Sequence, residues 1–372
     1  MATPAYRADV VGSMLRPPEL IEARGAMRAG QVPFEEYKAI EDRAVDASLR
    51  IQEDAGVDVV TDGEQRRDIF FDFFVSGMSG TSMVPTGFSV DFHGATLEDA
   101  MSVVIPFAVT EKIEARPCPA LAEYEYAAAH TDKPVKLTLP GPSMILGFYG
   151  EPTRSAYPDP FVLIEEATAI VAGWMGELAA AGCAYIQIDA PDLAEMYAES
   201  SLARSYIERG IDPERLKDVA SSLVGSLGDV PTPGAIKAMH VCKGNGTRAW
   251  LAEGGYGPFA EHVFSRAQGF DVFHLEYDDE RSGDFEPLAK LPDDKAAVLG
   301  LVSTKWTHLE QPDQLKARID DAARFHPKEQ LALATQCGFA SGAETAEAKK
   351  ITEQTQADKL KLVADVAHEV WS

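Results

Sequence analysis

Eight short runs rich in β-branched and apolar residues, most of them separated by enough chain for a helix, constrain this sequence more than any other feature. They are Asp9 to Ser13, Val57 to Thr61, Val135 to Thr138, Ala184 to Asp189, Ile236 to Cys242, Asp271 to Tyr277, Ala297 to Ser303 and Leu331 to Gln336. Between them lie segments such as Phe161 to Ala181 and Gln314 to Phe325, with apolar residues at helical spacing and charges on the other face. Alternating strand and helix implies parallel strands joined by right-handed crossovers, hence an open doubly wound sheet or a closed barrel. Eight units over 372 residues favour the barrel. The expectation is an α/β fold, a (β/α)8 TIM barrel forming one catalytic domain over residues 1–372.

One interval is too long for a single crossover helix. Residues 65–134 contain MVPTGFSVDF and AMSVVIPFAV, which alternate or run apolar like paired strands. An antiparallel excursion between the second and third strands, lying over the barrel mouth, is therefore expected. The tail from Glu344 to Ser372 reads as a closing helix.

Charge narrows the partners. With 34 basic against 59 acidic side chains, net −25, the chain repels polyanions, which argues against nucleic acid and anionic membranes. No apolar run approaches spanning length, and MATPAYRADVVGSMLRP lacks the pattern of a secretory leader, so a cytoplasmic protein is expected. Four scattered cysteines, at 118, 183, 242 and 337, do not make a disulfide framework.

Barrel active sites form at the C-terminal ends of strands, so polar residues at those positions are read together. His240 and Cys242 stand at i and i+2 on one predicted strand, which puts both side chains on one face. Glu276 ends the next strand and Cys337 follows the last, completing a plausible tetrahedral set for Zn²⁺. A buried thiol is often only core, and His-x-Cys alone is a weak motif. What favours a metal is ligand-type residues ending three separate strands at the same face. His274, two residues before Glu276, is a weaker candidate ligand; Cys118 and Cys183 are explained by packing or exposure.

These residues fall within a longer series of motifs: VVGSMLRP, DVVTDGEQRR, LPGPSMI, QIDAPDLAE, HVCKGN, FHLEYDDERSGDFEPL, LGLVSTK and ATQCGF, in that order. Together they resemble the C-terminal catalytic half of cobalamin-independent methionine synthase. The resemblance implies the same barrel, Zn²⁺ held by His240, Cys242, Glu276 and Cys337, and a pocket for an amino-acid thiol lined by Gly12, Ser13, Glu64 and Asp189. The implied reaction is methyl transfer to homocysteine, giving methionine, from a methylated folate or a methylcorrinoid, the latter with a corrinoid protein as partner.

The sequence departs from that family at several positions. The family's IDEP is Ile188-Asp189-Ala190-Pro191 here, its pterin-stacking tryptophan aligns with Phe148, and its proton-donating histidine aligns with Lys305. Lysine can donate a proton, so Lys305 is the expected catalytic residue, at a higher reference pKa. Two alternatives stay open. One is alkylation of another thiol, such as the addition of coenzyme M to an epoxide, with Arg16, Lys243, Arg248 and Lys305 as cations for the sulfonate. The other is a corrinoid-binding subunit without turnover.

Overall fold

The computed structural model describes residues 4–372. Six parallel strands make one sheet: β1 Lys136–Pro140, β2 Tyr185–Asp189, β3 Ile236–Val241, β4 Val272–Glu276, β5 Ala296–Val302 and β6 Leu331–Thr335. They pair in chain order from β1 to β6. Nearly every residue in them is buried, as expected for parallel strands covered on both faces. These six agree with the sequence expectation to within two residues at each end.

The first two predicted strands are not regular strands. Around Asp9 and Val60 the chain makes only isolated parallel bridges, Ala8 with Leu333 and Val60 with Val135. Side chains take donors that a ladder would have used. The Arg7 and Ala8 amides donate to Asp58 Oδ2, the Val10 amide to its neighbour Asp9, and the Thr61 amide to Gln52 Oε1. Backbone bonds still run from one segment to the next: Asp9 N to Leu333 O at 2.9 Å, Asp58 N to Ala8 O at 2.9 Å and Val60 N to Pro134 O at 3.0 Å.

The helices pack their apolar stripes onto this sheet. Helix Pro160–Ala180 is capped by Asp159, whose carboxylate accepts from the Phe161 amide, and it buries Ile164, Ala167, Val171, Trp174 and Leu178. Helix Phe34–Ala55 stops at Gly56, whose left-handed φ of 86° lets its amide reach back to Gln52 and Glu53. The tail forms helix Glu353–Val370 after a short turn at Ala346–Lys349. Among the described residues no helix is long and apolar enough to cross a membrane.

Residues 65–134 contain the expected antiparallel pairing. Ser89–Gly94 pairs with Met101–Val104, and its far end also meets Ala249–Trp250. The segment also holds a helix that the alternation did not foretell, Pro119–Ala129.

Candidate metal centre

Strand register builds the site. β2 and β3 are aligned so that Asp189 lies beside His240, and β3 and β4 so that His240 lies beside His274. Cys242 follows the last residue of β3, and Cys337 sits two residues past β6. The ligand atoms of His240, Cys242 and Cys337 all lie within 4.8 Å of one another, and all three residues are buried. Hydrogen bonding from Cys242, working against burial and helped by the positive field of His240 and Lys305, holds the Cys337 thiol well below its ordinary range. Hydrogen bonding to Cys337, burial and the negative field of Glu276 push the neighbouring Cys242 thiol up.

The donor set fits Zn²⁺, which favours imidazole nitrogen and thiolate sulfur. A second observation supports the fit: buried His240 has no hydrogen-bond partner of normal geometry at either ring nitrogen. Such an orphan is costly unless something outside the chain meets it.

Glu276 is not part of this tight cluster. Its Oε2 accepts from the Lys243 amide at 2.7 Å, while Oε1 lies 3.1 Å from Lys305 Nζ and 3.3 Å from the Arg281 guanidinium. Lys305 is fully buried between Glu276 and Asp278, 3.7 Å from the latter, and these carboxylates hold its pKa up against the cost of burial. It is not on the wall of the adjoining cavity.

That cavity opens beside the three ligands and has a volume of about 380 Å³. Ser13, Glu64 and Asp189 line it together with His240, Cys242 and Cys337; Gly12, expected in the lining, is not on its wall. A β-carbon at Gly12 would come within 2.9 Å of Glu64 Oε1, so glycine is what admits the carboxylate there. Glu64 adopts a left-handed φ of 53°, rare for a side-chain-bearing residue, held by its amide on Asp62 Oδ1 at 2.9 Å. Its Oε1 accepts from the Thr138 hydroxyl at 2.7 Å, and its Oε2 is unpartnered. Burial pushes Asp189 up to about 7, with His240 opposing.

Several expected residues lie elsewhere. His274 is drawn into a buried network with Asp9, Lys136 and Tyr185: Tyr185 Oη is 2.8 Å from Asp9 and 3.0 Å from His274 Nε2, and Lys136 is 2.8 Å from Asp9. Phe148 is buried among Phe71, Phe74 and Phe107 and does not reach the cavity wall. None of Arg16, Lys243, Arg248 and Lys305 lines the cavity. Arg16 bonds the Glu64 and Ala340 carbonyls, Lys243 sits over the Tyr256 ring, and Arg248 lies 3.7 Å from Asp99.

The sequence reading missed what holds the Cys337 loop. Asn245 donates to the Gly338 carbonyl at 2.8 Å, the Thr304 hydroxyl reaches the same oxygen at 3.1 Å, and Gln336 joins Asn245 to the Thr304 amide. Asn245 in HVCKGN and Gln336 in ATQCGF carry the signal: polar amides adjoin ligand cysteines where core would otherwise be expected. Gly338 permits the close approach, since a β-carbon there would fall 2.0 Å from Ser13 Oγ.

A parallel α/β sheet with two thiols and an imidazole converging at its C-terminal edge defines a protein built around a soft-donor metal centre that opens on a small-molecule cavity. The chain belongs to the family described as cobalamin-independent synthase, catalytic domain, whose model matches residues 7–229. It is 36% identical to YxjH of Bacillus subtilis (strain 168), over 98% of this chain and 95% of that protein. It is 25% identical to the methionine synthase of Pyrococcus abyssi, over 91% of this chain and 88% of that one. A solved structure from Listeria monocytogenes, described as a candidate vitamin-B12 independent methionine synthase, superposes with a TM-score of 0.72 at 25% identity, covering all of both chains.

Proposed function

We propose that this protein is a zinc-dependent methyltransferase that methylates the thiol of homocysteine to give methionine. The observation that carries the reading is the convergence of His240, Cys242 and Cys337 at the edge of a cavity also lined by Glu64 and Asp189. Zn²⁺ held by those three residues would favour the thiolate form of an incoming thiol.

The chain's own residues supply the rest. The unpartnered oxygen of Glu64 and the carboxyl of Asp189 face the cavity, where they receive the ammonium of an amino-acid thiol. Ser13 and the strand-end backbone at Gly12 are the proposed contacts for its carboxylate. Glu276 is the proposed fourth ligand of the resting site. Because both its oxygens already have amide or cationic partners, it would be the ligand most readily given up to a thiol. Lys305 then acts as a positioning residue that holds Glu276.

We further infer that the eight segments close into one (β/α)8 barrel of a single domain, 1–372, with residues 65–134 inserted at its mouth. The backbone bonds of the Asp9 and Val60 segments to β6, to each other and to the chain entering β1 support this. Coenzyme M is disfavoured as acceptor, since among the described residues no lysine or arginine lines the cavity for a sulfonate.

The test is direct. Zinc-loaded protein is incubated with homocysteine or coenzyme M and a panel of isotopically labelled methyl donors, and products are read by mass spectrometry. Labelled methionine, lost on chelation and restored by Zn²⁺, is the expected result. Product from coenzyme M alone would overturn the assignment.

A further inference from the structure

The thiol reading leaves the outer wall of the cavity unused, and its chemistry is distinctive. Phe70, Phe71, Phe88, Phe92, Met101 and Ile105 form an apolar, largely aromatic surface. Five acidic residues line the same space, Glu64, Asp189, Asp192, Glu195 and Glu344, and among the described residues no lysine or arginine does. The cations behind the walls are engaged elsewhere. Arg67 chelates Glu123 at 2.7 and 3.1 Å, Arg209 donates to the Tyr149 carbonyl at 2.7 Å, and Lys305 holds Glu276.

Asp192 stands out among the five. It is only 5% exposed, forms no ion pair, and neither carboxylate oxygen has a hydrogen-bond partner of normal geometry. Burial pushes Asp192 up to about 6, eased by the nearby Ser143 hydroxyl and by the backbone amides of Asp192 and Leu193; Ser143 is itself without a partner of normal geometry. A buried carboxylate left this way is costly, and a ligand bearing positive charge would relieve it. Aromatic faces beside it would stabilise the same charge.

Resting on the thiol-acceptor reading above, we propose that the alkyl donor is a small onium compound, a methylsulfonium or a quaternary methylammonium, whose cation is received by Asp192 among the phenylalanine rings. A methylated folate, anionic through its glutamate carboxylates, would meet, among the described residues, five acids and no lysine or arginine in this cavity. The onium reaction also matches the acid–base groups at hand. The acceptor thiol releases its proton on binding. The thiolate sulfur attacks the methyl carbon and forms a new C–S bond, while the bond from that carbon to the onium centre breaks. The bonding pair stays on the departing atom, which leaves as a neutral thioether or tertiary amine. No proton is needed for departure, and the residue aligned with the family's proton donor, Lys305, is off the cavity wall.

The test uses the zinc-loaded full chain with homocysteine and, at equal concentrations, deuteromethyl-labelled S-methylmethionine, trimethylsulfonium, glycine betaine, methyltetrahydrofolate and methylcobalamin. Labelled methionine should form from an onium donor at least about tenfold faster than from the folate or the corrinoid, a gap of about 1.4 kcal/mol in barrier. The sulfonium and betaine arms decide which onium is used. In calorimetry, Asp192→Asn should weaken trimethylsulfonium binding about tenfold or more while zinc content and homocysteine affinity stay as in the parent. If the variant does not fold, the wild-type donor panel decides alone. Faster transfer from methyltetrahydrofolate or methylcobalamin overturns the proposal. So does a protein that binds homocysteine but takes methyl from no onium, an outcome that leaves the acceptor reading intact. A protein that fails to bind homocysteine overturns both.

Discussion

Replacing Glu64 by glutamine removes one negative charge from the proposed ammonium site and little else. The side chain keeps its length, and an amide oxygen can still accept from the Thr138 hydroxyl, now 2.7 Å from Oε1. Arg67, 3.5 Å from Glu64, retains its two-pronged contact with Glu123, and the left-handed turn is held by Asp62 through the backbone. What is lost is a charge-assisted bond from the substrate ammonium to the unpartnered oxygen, worth about 1.5–3 kcal/mol, or roughly 10- to 150-fold in affinity. Calorimetry with homocysteine and with 4-mercaptobutyrate, which keeps thiol, carboxylate and their spacing but lacks the ammonium, separates this from general damage. Homocysteine should lose about 2 kcal/mol in Glu64→Gln, and 4-mercaptobutyrate less than about 0.5 kcal/mol. Equal losses for the two thiols would refute the assignment of Glu64 to the ammonium.

Other perturbations address the metal site and the strands beneath it. Cys337→Ser should bring bound zinc well below one equivalent while far-ultraviolet circular dichroism stays unchanged, because a ligand is lost but the core is not; full zinc content would remove Cys337 from the ligand set. Gly338→Ala forces a β-carbon to within 2.0 Å of Ser13 Oγ, so the Cys337 loop must shift, and zinc affinity measured by competition with a chelator should fall. Unchanged affinity would mean the loop adapts freely. Burial, helped by Lys136 and opposed by Asp9, pushes His274 down to about 4. A histidine depressed in the folded state contributes stability above its unfolded pKa of about 6.5 and loses it as pH falls through about 4, an effect of roughly 3 kcal/mol. In metal-free protein, urea midpoints of His274→Gln should therefore fall less than those of the parent across that window. Parallel curves would contradict a neutral His274 in the network.

How far the sequence foretold the molecule depended on where backbone hydrogen bonds go. The six sheet strands were legible because they are continuous apolar runs, as parallel strands buried on both faces must be. The runs at Asp9 and Val57 look the same in composition, yet side-chain acceptors from Asp58, Asp9 and Gln52 take their amides. Nothing in residue periodicity reports such a diversion. At the metal centre, spacing sufficed for His240 and Cys242, and Cys337 came from its position after the last strand. For Lys305 the sequence gives its place in a motif but not its neighbours, which are the buried carboxylates of Glu276 and Asp278; its proposed role as a tether for Glu276 rests on those contacts. Asp192 went unassigned for the complementary reason, since only the three-dimensional wall shows it buried without a cation.

Zinc K-edge X-ray absorption of the purified protein, with and without homocysteine, tests the central claim most directly. One equivalent of zinc with two sulfur ligands and nitrogen or oxygen donors at rest, gaining a third sulfur when the thiol is added, is the predicted result. Absence of zinc, or a coordination sphere that the thiol leaves unchanged, would contradict it.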